Sequence, residues 1–172
     1  MKLVLKNIHE LNLDEFDLEK LSEYQKKKSS NQNSLASYYI LDKYFDIDLK
    51  SIKYENGKPI IDNGYISISH KNNYVAVVYS DKNIGIDIEE IKEYRKSIED
   101  TILSDDERDY IKTINDFYKI YTVKECVIKI NNWSLKDVDK FSVINNKNLE
   151  YDGYEIEHQY FDNYILTIVE KL

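Results

Sequence analysis

The chain has 172 residues, 42% of them hydrophobic and 13% aromatic, with 16 tyrosines. That is enough apolar material for one compact unit or two small lobes, and it excludes disorder for the bulk of the chain. A formal charge of −8 argues against general attraction to nucleic acid or anionic lipid, which reward a basic surface, but leaves room for a local basic patch.

Residues 1–8 read as a short strand. Leu13 to Lys28 reads as a helix, with Leu13, Phe16, Leu18, Leu21 and Tyr24 roughly on one side and acids early. A polar turn, Ser29-Ser30-Asn31-Gln32-Asn33, leads to a second helix that Ser34 would cap and that runs to about Phe45. Asn56-Gly57 and Pro59 punctuate a turn. Tyr65–His70, Tyr74–Ser80 and Ile84–Glu89 then follow at spacings that predict an antiparallel meander. From Glu93 to Asn131 the pattern is helical, broken near Ser104, where Ser104-Asp105-Asp106-Glu107 has the form of a capping box. Phe141–Ile144, Tyr154–Tyr160 and Tyr164–Glu170 close the chain as strands. The order is roughly β-α-α-β twice, with no linker, so 1–82 and 83–172 read as two lobes of one α+β unit.

Four places carry candidate chemistry. In Ile84-Gly85-Ile86-Asp87-Ile88-Glu89, strand alternation would turn the isoleucines to the core and Gly85, Asp87 and Glu89 the other way. Two like charges on one face favour a divalent cation such as magnesium, and Gly85 would leave room for a bulky ligand. The plain alternative is a wet acidic strand face. On the helix ending near Asn131, Tyr121, Glu125 and Lys129 fall four apart on one stripe: a metal and phosphate site, or an ordinary Glu–Lys surface pair. Ser69 and His70 end a strand, where they offer donors to phosphate or ribose, or merely face water. Gly57-Lys58-Pro59 would aim Lys58 from a tight turn, and Lys26-Lys27-Lys28 is either a solvated helix end or a phosphate patch. Cys126, the single cysteine, forms no internal disulfide and reads as a packing residue. No apolar run reaches the roughly 18 residues of a membrane span. The charged start is unlike a signal peptide, so a cytoplasmic setting is expected.

Taken in order, Gly57-Lys58-Pro59, Ile66-Ser67-Ile68-Ser69-His70, Gly85-Ile86-Asp87-Ile88-Glu89 and Lys124-Glu125 with Lys129 resemble the 4'-phosphopantetheinyl transferase superfamily. The likeness is to its longer single-chain branch, typified by the surfactin-synthetase activating enzyme, and runs from about residue 13 onward. Leu103-Ser104 with Glu107, Phe141-Ser142-Val143 and Asp162-Asn163-Tyr164-Ile165-Leu166 add to it. The resemblance implies a pseudodimer of two α+β lobes with antiparallel sheets and the ligand cleft between them. It implies magnesium held by Asp87, Glu89 and Glu125, and coenzyme A contacted by Lys58, Ser69, His70, Lys129 and Lys124. It also implies attack by a serine of an apo carrier protein on the β-phosphorus, with release of 3',5'-ADP. Glu125 would then take the serine proton, directly or through water, assisted by Asp87, Lys129 and His70. A monomer is expected, since two lobes would complete one cleft. The chain departs from the pattern at Tyr121, where tryptophan is usual, and at Asn131-Asn132, where glycines are. At Asn33 a basic residue is usual, which shifts the expected 3'-phosphate contact to Lys26 or Lys28. The missing basic residue, with a length shorter than is usual in this branch, leaves a second reading, a non-catalytic domain of the same fold that binds coenzyme A or a carrier.

Overall fold

A computed structural model describes the backbone of residues 1–172 and every side chain except that of Leu135. The architecture is α+β with antiparallel sheets, and the chain divides into two units, Met1–Asp81 and Lys82–Leu172.

In the first unit come β1 (Lys2–Asn7), α1 (Glu23–Lys28), α2 (Gln32–Phe45), β2 (Lys53–Glu55), β3 (Lys58–Ile60), β4 (Tyr65–Lys71) and β5 (Tyr74–Ser80). The helix expected from Leu13 is confined to α1; ahead of it lie short 3-10 turns at Leu13–Glu15 and Leu18–Lys20. Asp17 accepts from the Glu19 N–H at 2.9 Å, the kind of local bond that competes with a helix. True helix starts only at Ser22, where a capping box with Gln25 forms. Asn31 rather than Ser34 caps α2, accepting from the N–H groups of Asn33 and Ser34. β5 is apolar along most of its length and sits centrally in the order β1-β5-β4. The β2–β3 hairpin turns at Asn56 and Gly57, with φ of 49° and 82°.

Both edges of β5 are therefore taken, and the expected third strand of the meander pairs elsewhere. That strand, β6 (Ile84–Glu90), opens the second unit. It is followed by α3 (Glu99–Ile102), α4 (Asp105–Tyr110), α5 (Ile114–Asn131), β7 (Ile144–Asn145), β8 (Asn148–Leu149), β9 (Tyr154–Phe161) and β10 (Tyr164–Lys171). The sheet order is β6-β10-β9, all antiparallel. The capping box predicted at Ser104 with Glu107 is present. Thr113 and Asp116 form another at the start of α5, and Asn132 ends that helix in the left-handed region at φ 55°. Phe117, Ile120, Val123, Cys126, Val127 and Ile130 of α5 pack with Ile165 and Val169 of β10.

This packing reverses one expectation about β6. A Cβ on Gly85 would lie 2.5 Å from the Cys126 carbonyl oxygen, so Gly85 faces α5, and Asp87 and Glu89 share that face. The glycine admits a helix backbone to close range rather than leaving space for a ligand. Ile84, Ile86 and Ile88 lie on the opposite face, also buried, outside the cluster around α5. Among the described residues no helix is long and apolar enough to cross a membrane.

Candidate active site

Asp87 is buried near the middle of β6, and Glu89 and Glu125 are partly buried. Strand alternation places the first two on the α5 side, and α5 presents Glu125 to them. The three carboxylates act on one another. Burial, then the Asp87 charge, raises the Glu125 pKa to about 7, with Glu89 adding to the rise and Lys129 and Tyr121 opposing it. Burial and the charges of Glu125, Glu89 and Asp87 also keep the Tyr121 phenol protonated well above its usual range. The Tyr121 ring is held in place by stacking on Phe117, 6.0 Å between centroids at 17°.

Lys129 is the cation of this group. Its Nζ donates to Asp87 Oδ1 at 2.8 Å and to the Ile86 carbonyl at 2.7 Å. Burial opposes its charge, but Asp87 and the neighbouring anionic groups prevail and hold its pKa above the usual lysine range. The stripe at 121, 125 and 129 is therefore no surface Glu–Lys pair: Lys129 crosses to the strand. Among the described residues no three His, Cys, Asp or Glu side chains stand together as a ready metal cage. The expected trio is an electrostatic group with Lys129 already on Asp87, not a completed coordination shell. Its chemistry still suits a hard cation. All donors are carboxylate oxygens, and burial, together with the charges of Asp87 and Glu89, has lifted Glu125 to about 7.

Lys124 departs from its expected role in ligand binding. It is buried with 0% side-chain exposure and pairs with Glu107, also 0% exposed, at 2.5 Å. No surface is left for a coenzyme phosphate. Lys124 neighbours Glu125 in sequence but points into the core, because adjacent helix positions are about 100° apart. Cys126 is fully buried, its thiol pKa pushed up by burial, and its Sγ lies 3.4 Å from the Thr167 carbonyl, in keeping with a packing role.

In the first unit, Lys28, Ser34, Tyr38, Gly57, Pro59 and His70 are among the residues lining an open cavity of about 270 Å³. The Lys28 ammonium lies 5.9 Å from the centre of the Tyr24 ring, and Tyr24 stands 4.6 Å from Tyr54, centroid to centroid. Aromatic walls with a lysine and a histidine at the rim match the needs of a phosphorylated heterocycle. Lys26 turns instead to Glu19 and Glu23, at 3.2 and 3.5 Å, so of the two lysines Lys28 is the one on the cavity. Ser69 precedes His70 on β4, so its side chain takes the opposite face, where it is buried at 8% exposure. Lys58 is half-buried, and burial lowers its pKa.

Residues 83–169, just over half of the chain, match the family profile described as ACPS: 4'-phosphopantetheinyl transferase superfamily. The chain belongs to the 4'-phosphopantetheinyl transferase superfamily. Over 84 residues it is 31% identical to the 4'-phosphopantetheinyl transferase gsp of Aneurinibacillus migulanus, a match covering 45% of this chain and 35% of that protein. The shared stretch thus spans about a third of that relative's length. Within the matched superfamily region lie Asp87, Glu89, Lys124, Glu125 and Lys129; Lys26, Lys28, Lys58, Ser69 and His70 lie before it. Sequence reasoning did not single out Tyr24, Tyr38 and Tyr54 as cavity walls. Their spacing carries no period, and only the β2–β3 hairpin brings Tyr54 to α1.

Proposed function

We propose that this protein transfers the 4'-phosphopantetheine group of coenzyme A to a serine of an apo carrier protein, releasing 3',5'-ADP. The observation that carries the reading is the electrostatic coupling of Glu125 on a helix to Asp87 and Glu89 on a distant strand, with Lys129 paired to Asp87. Superfamily membership makes the transfer the natural use of that group.

Asp87, Glu89 and Glu125 would hold a magnesium ion, which when bound neutralises pyrophosphate charge. Lys129 stands beside the same carboxylates and contributes a fixed positive charge to the phosphoryl oxygens. The carrier serine Oγ attacks the β-phosphorus of coenzyme A. A new O–P bond forms, the bond from phosphorus to the bridging oxygen of the diphosphate breaks, and 3',5'-ADP takes that electron pair. Glu125, directly or through water, takes the serine proton. The first-unit cavity lined by Lys28 and His70 is by itself a candidate for binding a phosphorylated nucleotide.

The test combines purified protein, coenzyme A, magnesium and an apo carrier, with the carrier's mass as readout. One pantetheine arm per carrier is the expected result. Coenzyme A binding in calorimetry with unchanged mass across several apo carriers would instead favour a binding domain of the same fold.

A further inference from the structure

Lys124 and Glu107 lie wholly inside the second unit, and both charged ends are further engaged. Lys124 Nζ donates to the Ile102 carbonyl at 2.9 Å and lies 5.1 Å from the centre of the Phe141 ring. Glu107 accepts from the backbone N–H groups of Ser104 and Val143, each at 2.8 Å. A buried ion pair is a poor source of stability. Removing each charge from water costs several kcal/mol, about what the attraction returns, and apolar residues of equal volume often do as well. What the pair adds is direction. It ties one rotational setting of α5 to three separate backbone points, at Ile102, Ser104 and Val143. Glu125 is the next residue on that helix, so the setting that buries Lys124 turns Glu125 toward β6.

We propose that Lys124 and Glu107 are positioning residues whose pairing sets the rotation of α5 and holds Glu125 against Asp87 and Glu89. The inference rests on reading those carboxylates as a cation site.

The test is Mn²⁺ binding to the full chain in the presence of coenzyme A, followed by the electron paramagnetic resonance of free Mn²⁺, with thermal melting alongside. The double variant Glu107→Gln, Lys124→Met should melt within about 5 °C of the parent yet bind Mn²⁺ about 10-fold or more weakly, as when outer-shell partners of a metal site are lost. Parental affinity in that variant would overturn the inference. Should the double variant not fold, Glu107→Asp keeps the charge but withdraws the carboxylate by one methylene. Weakened Mn²⁺ binding then supports the inference, and unchanged binding overturns it. Asp87→Ala separates the two levels. If it binds Mn²⁺ like the parent, the cation-site reading fails and the inference with it. If it loses binding while the double variant keeps it, only the positioning role fails.

Discussion

Gly85 and Cys126 are in backbone contact: a side chain on the glycine would begin 2.5 Å from the Cys126 carbonyl oxygen. Helix α5 lies that close to β6, and the closeness lets Glu125 share an electrostatic environment with Asp87 and Glu89. Gly85→Ala must push a helix backbone rather than a flexible side chain. The expected cost is about 1–3 kcal/mol in denaturant melts, with a fall in transfer rate larger than the stability loss alone explains. A variant with parental stability and rate would mean that the contact is not tight in solution.

Asp87→Ala removes the buried carboxylate that Lys129 holds. Transfer should fall by about 100-fold or more, the scale of losing one fixed electrostatic group in an active site, and circular dichroism should stay native. Added magnesium should raise the melting temperature of the parent with coenzyme A but not that of the variant. An equal shift in both would remove Asp87 from the cation site.

Glu125 and His158 make stability depend on pH in opposite senses. The Glu125 carboxyl loses its proton near 4.5 in the unfolded chain but only near 7 in the folded one. Rising pH across that window therefore favours unfolding, and the loss is complete above about 7. Glu125→Gln should leave stability unchanged at pH 4 and raise it at pH 8, by about 1–3 kcal/mol after allowance for partial exposure. Lower stability of the variant at pH 8 would contradict the crowding of acids.

His158 behaves in reverse. Burial, then Lys119, lowers its pKa to about 4 from 6.5, so falling pH protonates the unfolded chain first and stability declines from about pH 6.5 toward 4. His158 Nδ1 lies 2.9 Å from Thr167 Oγ1, which meets Thr122 Oγ1 at 2.6 Å. His158→Leu should flatten the acid limb of a stability–pH curve. Thr167→Val should cost about 1–3 kcal/mol at neutral pH by stranding polar groups under α5. An unaltered acid limb in His158→Leu would assign that limb to other groups.

Lys28 and His70 line the first-unit cavity. Lys28→Ala should raise KM for coenzyme A about 10-fold, the loss of one charge-assisted hydrogen bond, and leave kcat nearly unchanged. His70→Ala should act in the same direction. A fall in kcat at unchanged KM would move these residues from binding to the chemical step.

Much of this was legible along the chain because it is local. Ser104 and Glu107 form their capping box three residues apart. The alternation of Ile84 through Glu89 describes a strand with acids on one side, and the ordered motifs resemble one superfamily. Reading failed where short-range and long-range demands competed. Asp17 drew Leu18–Lys20 into a 3-10 turn, and the apolar run of β5 attracted β1 as a second partner, which excluded β6.

The amino-acid order alone determined the α+β class, the acid-bearing strand, the long helix carrying Glu125, and the superfamily. Tertiary structure decided the use of each charge. Lys124 and Lys129 sit five residues apart on one helix, about 140° around its axis. One is sealed against Glu107, and the other crosses to Asp87. Desolvation and pairing are set by neighbours that arrive from Ser104, Val143 and β6, distant in sequence, and no pattern within the helix specifies them.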